Sequence, residues 1–232
     1  MPTTKTRIVA TIGPASEKPE NIAELIQAGA SIFRISYSIS PEEGEMRFNA
    51  VHEAIKQTGA RDIETLQDFG GLKIRLDNTE PIKVAKGQDF ILSKAEIGKG
   101  DFGAQVTNHY FWDNVKSDSA LYIGDGQVAL KIKKLESGRA LAEVLFGGII
   151  GPRKGVTIPG MSFGFGENIK ADAELALAGA KLGFNYVALS FVENADDVKL
   201  FKKIIIDGAS GYAPKILAKI ETELAVKNID SI

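Results

Sequence analysis

The residues best placed for chemistry are charged side chains that follow predicted buried strands. Lys219 and Glu221 close the apolar run at residues 216–220, and Arg34 and Asp68 close two earlier runs. In a β/α barrel the carboxyl ends of the strands meet at one mouth, so we expect these side chains to lie close together. Cations beside carboxylates would bind a divalent metal together with an anionic, phosphorylated substrate.

Lys219 and Glu221 give the strongest of these signals. They are separated by one apolar residue, so strand alternation predicts that both point to the same face and into the barrel mouth. The other candidates have plainer alternatives when each is taken singly. Arg34 fits a solvated surface charge, and Asp68, which precedes Phe-Gly-Gly, fits a turn acid.

Further polar residues stand near the same strand ends. Hydroxyls in such positions are also typical of turns, and isolated cations of solvated surface. These additional candidates are Ser36, Ser38, Lys73, Arg75 and Ser190.

The elements that would position these residues alternate between strand and helix. Strands are predicted at residues 8–12, 31–36, 63–68, 186–192 and 216–220, and helical apolar spacing lies between them. Ser16, Ser40 and Asn194 are predicted helix caps. From about residue 78 to residue 156, short alternating runs replace the helical spacing, with a hairpin turn at Gly124-Asp125-Gly126.

This order predicts an α/β protein, a partial (β/α)8 TIM-type barrel interrupted by a small all-β barrel domain. The barrel domain would comprise residues 1–77 and 157–232, and the inserted domain residues 78–156.

Composition restricts the partners. The 232 residues include 28 basic and 30 acidic side chains and no cysteine. A net charge of -2 gives no global field for nucleic acid or an anionic membrane, so neither is expected as a partner. The lack of cysteine excludes thiolate chemistry and is compatible with a reducing cytosol, and no apolar run approaches the ~18 residues of a membrane span. We expect a soluble, cytoplasmic protein.

Several motifs together resemble the pyruvate kinase family. Residues 5–16 resemble its opening strand, residues 34–38 its Arg-x-Asn-x-Ser segment, and residues 67–75 its third-strand motif. Residues 124–126 resemble part of its lid domain and residues 154–160 the return from that domain. Residues 190–192 and 218–221 resemble its fourth strand and its catalytic fifth strand. The resemblance runs the whole length of the chain.

The resemblance implies reversible phosphoryl transfer between phosphoenolpyruvate and ADP, giving pyruvate and ATP. A divalent metal, Mg²⁺ or Mn²⁺, would sit at the barrel mouth, and the inserted domain would close as a lid. Lys219 would neutralise the negative charge of the phosphoryl group during its transfer, and Glu221 would hold the metal. The remaining roles carried over are phosphate clamping by Arg34 and Arg75, nucleotide or substrate contacts by Lys154 and Ser190, and a position near the adenine for Pro14.

Three departures from the family pattern fall at the second and third strands; the first bears on the monovalent cation, and the second removes a nucleotide contact. The family's asparagine is Ser36 here, its histidine is Ile39, and its threonine is Phe69. The first departure weakens a potassium site built from Ser36, Ser38 and Asp68. In potassium-independent members a lysine at the position of Lys73 supplies the charge, so the resemblance implies that K⁺ is not required.

Length is the largest departure. Compared with the family, the sequence stops at Ile232, before the sixth strand with its metal-binding aspartate. An eight-stranded barrel does not close with five strands, so we expect the chain alone to be inactive. The family is homotetrameric, and most of its assembly surfaces lie outside the matched region.

Two alternatives stay open at this stage. The first is a non-catalytic homologue that binds phosphorylated ligands or complements a second chain, which the changes at Ser36 and Ile39 favour slightly. The second is a metal-dependent lyase on the same barrel, against which the inserted domain and its Lys154 motif argue.

Overall fold

The structure, a computed structural model, describes residues 6–37, 40–163, 166–209, 211 and 214–232. Ser38 and Ile39 therefore lie outside the described residues. The chain divides into two compact units, the first comprising Met1–Gly71 and Gly164–Ile232 and the second Leu72–Phe163. No helix in the described part of the chain is long and apolar enough to cross a membrane.

Strands and helices follow one another in a mixed order along the chain. They are β1 (Ile8–Ile12), α1 (Pro19–Gln27), β2 (Ala30–Ser36), α2 (Pro41–Thr58), β3 (Glu64–Asp68), β4 (Ile82–Val84), β5 (Asp89–Ser93), β6 (Gly103–Gln105), α3 (His109–Asn114), β7 (Ala120–Ile123), β8 (Val128–Glu136), β9 (Arg139–Phe146), β10 (Gly148–Ile150), β11 (Val156–Thr157), α4 (Glu167–Ala180), β12 (Tyr186–Leu189), α5 (Ala195–Gly208), β13 (Lys215–Ala218) and α6 (Glu223–Lys227).

The first unit is built on an open parallel sheet. Its five strands lie in the order β1, β2, β3, β12 and β13, and each neighbouring pair is parallel. The helices bury their apolar sides against this sheet, in a core that includes Phe33, Ile35, Phe69 and Phe201. Strand–helix alternation around a parallel sheet confirms the α/β class.

Local signals set the helix ends of this unit. Ser40 caps α2 by accepting the backbone N–H of Glu43, and Asn194 forms a capping box with Asp197 at the start of α5. The cap predicted at Ser16 is wrong. Helix α1 begins at Pro19 after Lys18, because the Ser16 hydroxyl bonds back to the Gly13 carbonyl at 3.4 Å and closes a turn instead.

Two strands end earlier than the sequence predicts. Strand β12 stops at Leu189 and β13 stops at Ala218, so Ser190, Lys219 and Glu221 all follow a strand rather than belong to one. The backbone explains this, because Phe191 adopts a left-handed φ of 50° that no strand continues.

The second unit is mainly β-structure with its own core. A six-stranded sheet has the order β11, β7, β8, β9, β5 and β6, and β4 pairs with β10 in a second sheet. The predicted hairpin is confirmed between β7 and β8, where Gly124 and Gly126 have φ values of 66° and 81°. The unit is not all-β, since α3 buries Phe111. The boundaries at 78 and 156, and closure into a barrel, stay predictions.

Candidate active site

Asp68 lies at the centre of the candidate site in the first unit. It ends β3 and is 3% exposed. Its Oδ2 accepts two N–H groups of Arg34, with Nε at 2.7 Å, and its Oδ1 lies 2.8 Å from Lys219 Nζ. A buried carboxylate requires such charge partners, so Asp68 is a charged centre rather than a turn acid.

Arg34 reaches Asp68 from the neighbouring strand β2. Its Nη1 donates to Thr11 Oγ1 on β1 at 2.9 Å, so the guanidinium spans three adjacent strands. The side chain is 37% exposed, which leaves it accessible to an anion. Sequence reasoning did not identify Thr11, since a threonine inside a β-branched strand carries no separate signal.

Lys219 reaches the same carboxylate from the end of β13. Its ammonium donates to the Phe69 carbonyl at 3.1 Å, and the Ser190 hydroxyl donates to that carbonyl at 2.5 Å. Predicted residues on three strand ends, Asp68, Ser190 and Lys219, therefore meet at one backbone turn. The Lys219 side chain is 23% exposed, so the ammonium is anchored and still borders solvent.

Glu221 lies beside Lys219, as strand alternation predicted, although neither residue is in a strand. Its Oε1 is 4.0 Å from Lys219 Nζ, and its Oε2 accepts the Phe191 backbone N–H at 3.2 Å. The left-handed backbone at Phe191 costs about 1 to 2 kcal/mol, and it turns that N–H towards Glu221.

A divalent metal fits this carboxylate. Mg²⁺ is usually held by one or two carboxylates, by waters and by substrate phosphates rather than by an all-protein cage. Glu221 could supply one such oxygen ligand, since its side chain is 39% exposed. No group of three or more His, Asp or Glu side chains within the described residues is arranged to hold a metal, so phosphate oxygens and waters would complete the coordination.

Asp172 is a site neighbour that sequence reasoning missed. It lies on α4 and is 3% exposed, and it accepts a hydrogen bond from the Gly71 backbone N–H. Burial raises the pKa of Asp172 to about 7, while the Gly71 hydrogen bond and the charge of Lys219 act in the opposite direction. The signal was an acid on an apolar helix face, between Ile169 and Ala176.

The charges of the site nearly cancel. Arg34 and Lys219 contribute two positive charges, Asp68 and Glu221 contribute two negative charges, and Asp172 is neutral below a pH of about 7. A divalent metal would therefore make the mouth positive by two charges, which favours a phosphate dianion.

Two further predicted residues lie at or just after strand ends of the same sheet. Ser36 is paired in register with Asp68, and Pro14 lies in the turn closed by the Ser16 N–H to Gly13 carbonyl bond at 2.8 Å. Ser38, the third residue of the predicted monovalent site, lies outside the described residues.

Three predicted cations of the second unit, Lys73, Arg75 and Lys154, stand on two paired segments of backbone. Segment 73–76 runs antiparallel to segment 153–156, with the Leu76 N–H donating to the Lys154 carbonyl at 2.9 Å and Arg75 bridging to Gly155. Arg75 Nη1 donates to the Arg153 carbonyl at 3.1 Å. Lys73 packs over Gly155, where an added Cβ would lie 2.6 Å from Lys73 Cε. Lys73 and Arg75 therefore lie beside Gly155, whereas the Lys154 side chain lies against Gly151, 3.1 Å from a Cβ added there.

Comparison with known proteins finds a family model and several curated proteins of similar sequence. The family model described as "Pyruvate kinase, barrel domain" matches residues 3–232. Pyruvate kinase of Geobacillus stearothermophilus is 32% identical over 98% of this chain, which covers 39% of that protein. Pyruvate kinases of Agrobacterium vitis and Methylorubrum extorquens are 32% and 33% identical, and the chain covers 47% of each. The chain thus spans less than half the length of these curated relatives, and within that span it belongs to the pyruvate kinase family.

Proposed function

We propose that this site transfers a phosphoryl group between phosphoenolpyruvate and ADP, giving pyruvate and ATP in the last step of glycolysis. The observation that carries the proposal is the convergence of Arg34 and Lys219 on the buried carboxylate of Asp68. Two fixed cations at the ends of parallel strands supply the preorganised positive charge that phosphoryl transfer needs.

Each residue of the first unit has a proposed role. Arg34 binds the substrate phosphate through its accessible guanidinium, while Asp68 fixes its orientation. Lys219 faces the phosphoryl group between donor and acceptor and offsets its negative charge. Ser190 orders the Phe69 carbonyl that anchors Lys219, and Pro14 borders the adenine.

The metal in this proposal is Mg²⁺ or Mn²⁺, which supplies charge neutralisation and orientation of the phosphate oxygens when bound. Glu221 would hold it through the oxygen that faces Lys219, because the other oxygen is already engaged by the Phe191 N–H. This anchoring fixes the direction of the carboxylate before the metal arrives.

The second unit is proposed to act as a lid that carries nucleotide and phosphate contacts. Lys154 and Arg75, which stand on two paired segments of backbone, would bind phosphate groups, and Lys73 would supply the charge that K⁺ supplies in other members. We therefore expect phosphoenolpyruvate binding to be unchanged when K⁺ replaces tetramethylammonium, and a many-fold rise on adding K⁺ would contradict this role. The reaction is proposed to be cytoplasmic.

Two measurements test the proposal on the 232-residue chain. Calorimetry with phosphoenolpyruvate and Mg²⁺ measures binding, and a lactate dehydrogenase-coupled assay with ADP measures pyruvate formation. Lys219→Met is expected to abolish phosphoenolpyruvate binding and any residual pyruvate formation, whereas Lys199→Met, on the exposed side of α5, is expected to change neither. Absence of phosphoenolpyruvate binding by the unaltered chain would contradict the proposal.

We expect this chain to bind substrate but to turn it over slowly or not at all. The sheet is open at β13, where Leu217 and Ile220 are 42% and 38% exposed. The serine at position 36, where the family has asparagine, supports the alternative function, a non-catalytic protein that binds phosphorylated ligands or complements a second chain. Pyruvate formation that Lys219→Met abolishes would contradict both the expected inactivity and this alternative. Binding of ADP with Mg²⁺, measured by calorimetry, would argue against the other alternative, a metal-dependent lyase, because a lyase should bind no nucleotide.

A further inference from the structure

Helix α4 holds the end of β3 at two points. The Leu175 carbonyl accepts Gln67 Nε2 at 3.1 Å, and the Asp172 carboxylate accepts the Gly71 N–H. Gln67 is completely buried, and a Cβ added at Gly179 would lie 2.3 Å from its amide nitrogen. The helix and the strand are therefore fixed against each other on both sides of Asp68.

The turn between these two points carries both groups that hold the Lys219 ammonium. Asp68 Oδ1 forms an ion pair with it at 2.8 Å, and the Phe69 carbonyl accepts its hydrogen bond at 3.1 Å. Because both groups lie within four residues of chain, any displacement of the turn moves both at once. Misplacement of a catalytic group by about 1 Å is enough to cost roughly a hundredfold in rate.

The turn depends on an external acceptor at its far end. Gly71 has a left-handed φ of 59°, so no regular structure continues from it. Asp172 meets its N–H with a carboxylate that is itself buried on α4. Removing this acceptor would leave the N–H without its partner and release the turn from the helix.

We propose that Asp172 is a positioning residue, which fixes the turn from Asp68 to Gly71 and thereby holds Lys219 where it meets the substrate phosphate. The inference rests on the proposed function for the role of Lys219, but not for the geometry of the turn. Asp172 acts through the position of its acceptor oxygen and not through its charge, because its hydrogen-bond partner is a neutral backbone N–H.

Three substitutions of Asp172 distinguish the effect of the position of its oxygen from the effect of its charge. Asp172→Asn keeps an oxygen in the same place and removes the charge, whereas Asp172→Glu keeps the carboxylate and moves it by one methylene. Asp172→Ala removes the acceptor. Ile169→Val is the matched control, because it trims a buried residue of the same helix that belongs to the apolar core.

The readout is the Lys219 amine itself. Lysines are dimethylated with ¹³C-formaldehyde, and the Lys219 methyl signal is assigned by its absence in Lys219→Arg. Its chemical shift is recorded by NMR at a pH well below the value of about 7 to which burial raises the pKa of Asp172, so that the carboxyl carries no charge in the comparison. Calorimetry gives the dissociation constant for phosphoenolpyruvate with Mg²⁺.

We expect Asp172→Glu and Asp172→Ala to shift the Lys219 signal and weaken phosphoenolpyruvate binding about tenfold. Asp172→Asn and Ile169→Val are expected to retain both. If Asp172→Ala does not fold, the comparison of Asp172→Asn with Asp172→Glu still tests the inference. An unchanged Lys219 signal in Asp172→Glu, or an equal shift in Ile169→Val, would overturn the inference. If the unaltered chain binds no phosphoenolpyruvate, the proposed function fails while the NMR comparison still tests the turn.

Discussion

At the scale of single residues, burial decides what a charged side chain does. Asp68 and Asp172 are each 3% exposed, but only Asp68 has two cations within bonding distance. Asp172 has one backbone N–H, and its Oδ2 has no hydrogen-bond partner among the described residues. Desolvation therefore dominates at Asp172 and favours its protonated form.

This difference predicts a pH dependence of stability. Burial raises the pKa of Asp172 from 3.8 to about 7. As pH rises, the Asp172 carboxyl therefore loses its proton at a lower pH in the unfolded state than in the folded state. The contribution of the protonated Asp172 carboxyl to the free energy of unfolding is complete below pH 3.8, and it is lost as pH rises through about 7. Replacing Asp172 by asparagine removes this loss, so the variant is expected to gain up to about 4 kcal/mol relative to the original chain between pH 4 and pH 8.

The measurement is urea unfolding of both proteins at several pH values, followed by far-UV circular dichroism. Asp196→Asn is the control, since that exposed carboxylate pairs only with Lys199 among the ion pairs of the described residues. A stability difference between Asp172→Asn and the original chain that stays constant with pH would contradict the raised pKa.

At the scale of elements, one carboxylate ties the outer strands to the centre of the sheet. Glu64 begins β3 and accepts Arg7, which precedes β1, and Lys215, which begins β13, the latter at 3.2 Å. Tyr186 on β12 donates its hydroxyl to the same carboxylate at 3.2 Å. The two edge strands, which have no further sheet partner among the described residues, are thus linked through β3 at their amino ends.

Replacing Glu64 by glutamine is expected to destabilise the chain by about 1 kcal/mol at pH 7, because hydrogen bonds to two cations are lost. Burial acts to raise the pKa of Glu64, but the hydrogen bonds from Arg7 and Lys215 outweigh it and lower the pKa. The stabilisation is therefore present above pH 4.5 and is lost as pH falls through the lower folded-state pKa.

Thermal unfolding at pH 7 and at pH 3 tests this link. The difference in melting temperature between the variant and the original chain should be largest at pH 7 and smaller at pH 3. Glu136→Gln, which removes a surface pair with Lys134, is expected to have almost no effect at either pH. Equal melting temperatures for Glu64→Gln and the original chain at pH 7 would refute the role of Glu64.

At the scale of the whole molecule, the chain builds two separate apolar cores. One contains Phe33, Ile35 and Phe201, and the other contains Phe90, Leu92 and Leu130. The described members of the two cores do not overlap, and they follow the division of the chain into its two units. Each unit therefore has the buried apolar residues of an independent folding domain.

A cavity in one core is expected to loosen that unit alone. Leu92→Ala and Ile35→Ala each remove a fully buried side chain and should each cost about 2 to 5 kcal/mol of unfolding free energy. Hydrogen exchange read by mass spectrometry should show lost protection within residues 72–163 for Leu92→Ala, and outside them for Ile35→Ala. Equal loss throughout the chain in both variants would show a single cooperative unit instead.

The sequence by itself determined the α/β class, the order of the main elements and most residues of the site. These follow from local physics, because apolar spacing, caps such as Asn194 and glycine turns act within a few residues. It also indicated that Lys219, Asp68 and Arg34 would meet, since parallel strands end at one edge.

Only the tertiary structure decided how these residues are held. Strand alternation placed Lys219 and Glu221 within β13, but the strand stops at Ala218, where its neighbour turns at Phe191. The helix predicted to be capped by Ser16 is preceded instead by Lys18, two residues later, because the Ser16 hydroxyl closes a turn with Gly13. Asp172 was missed because its partner, Gly71, lies a hundred residues away, and pairing over such a distance leaves no local signal.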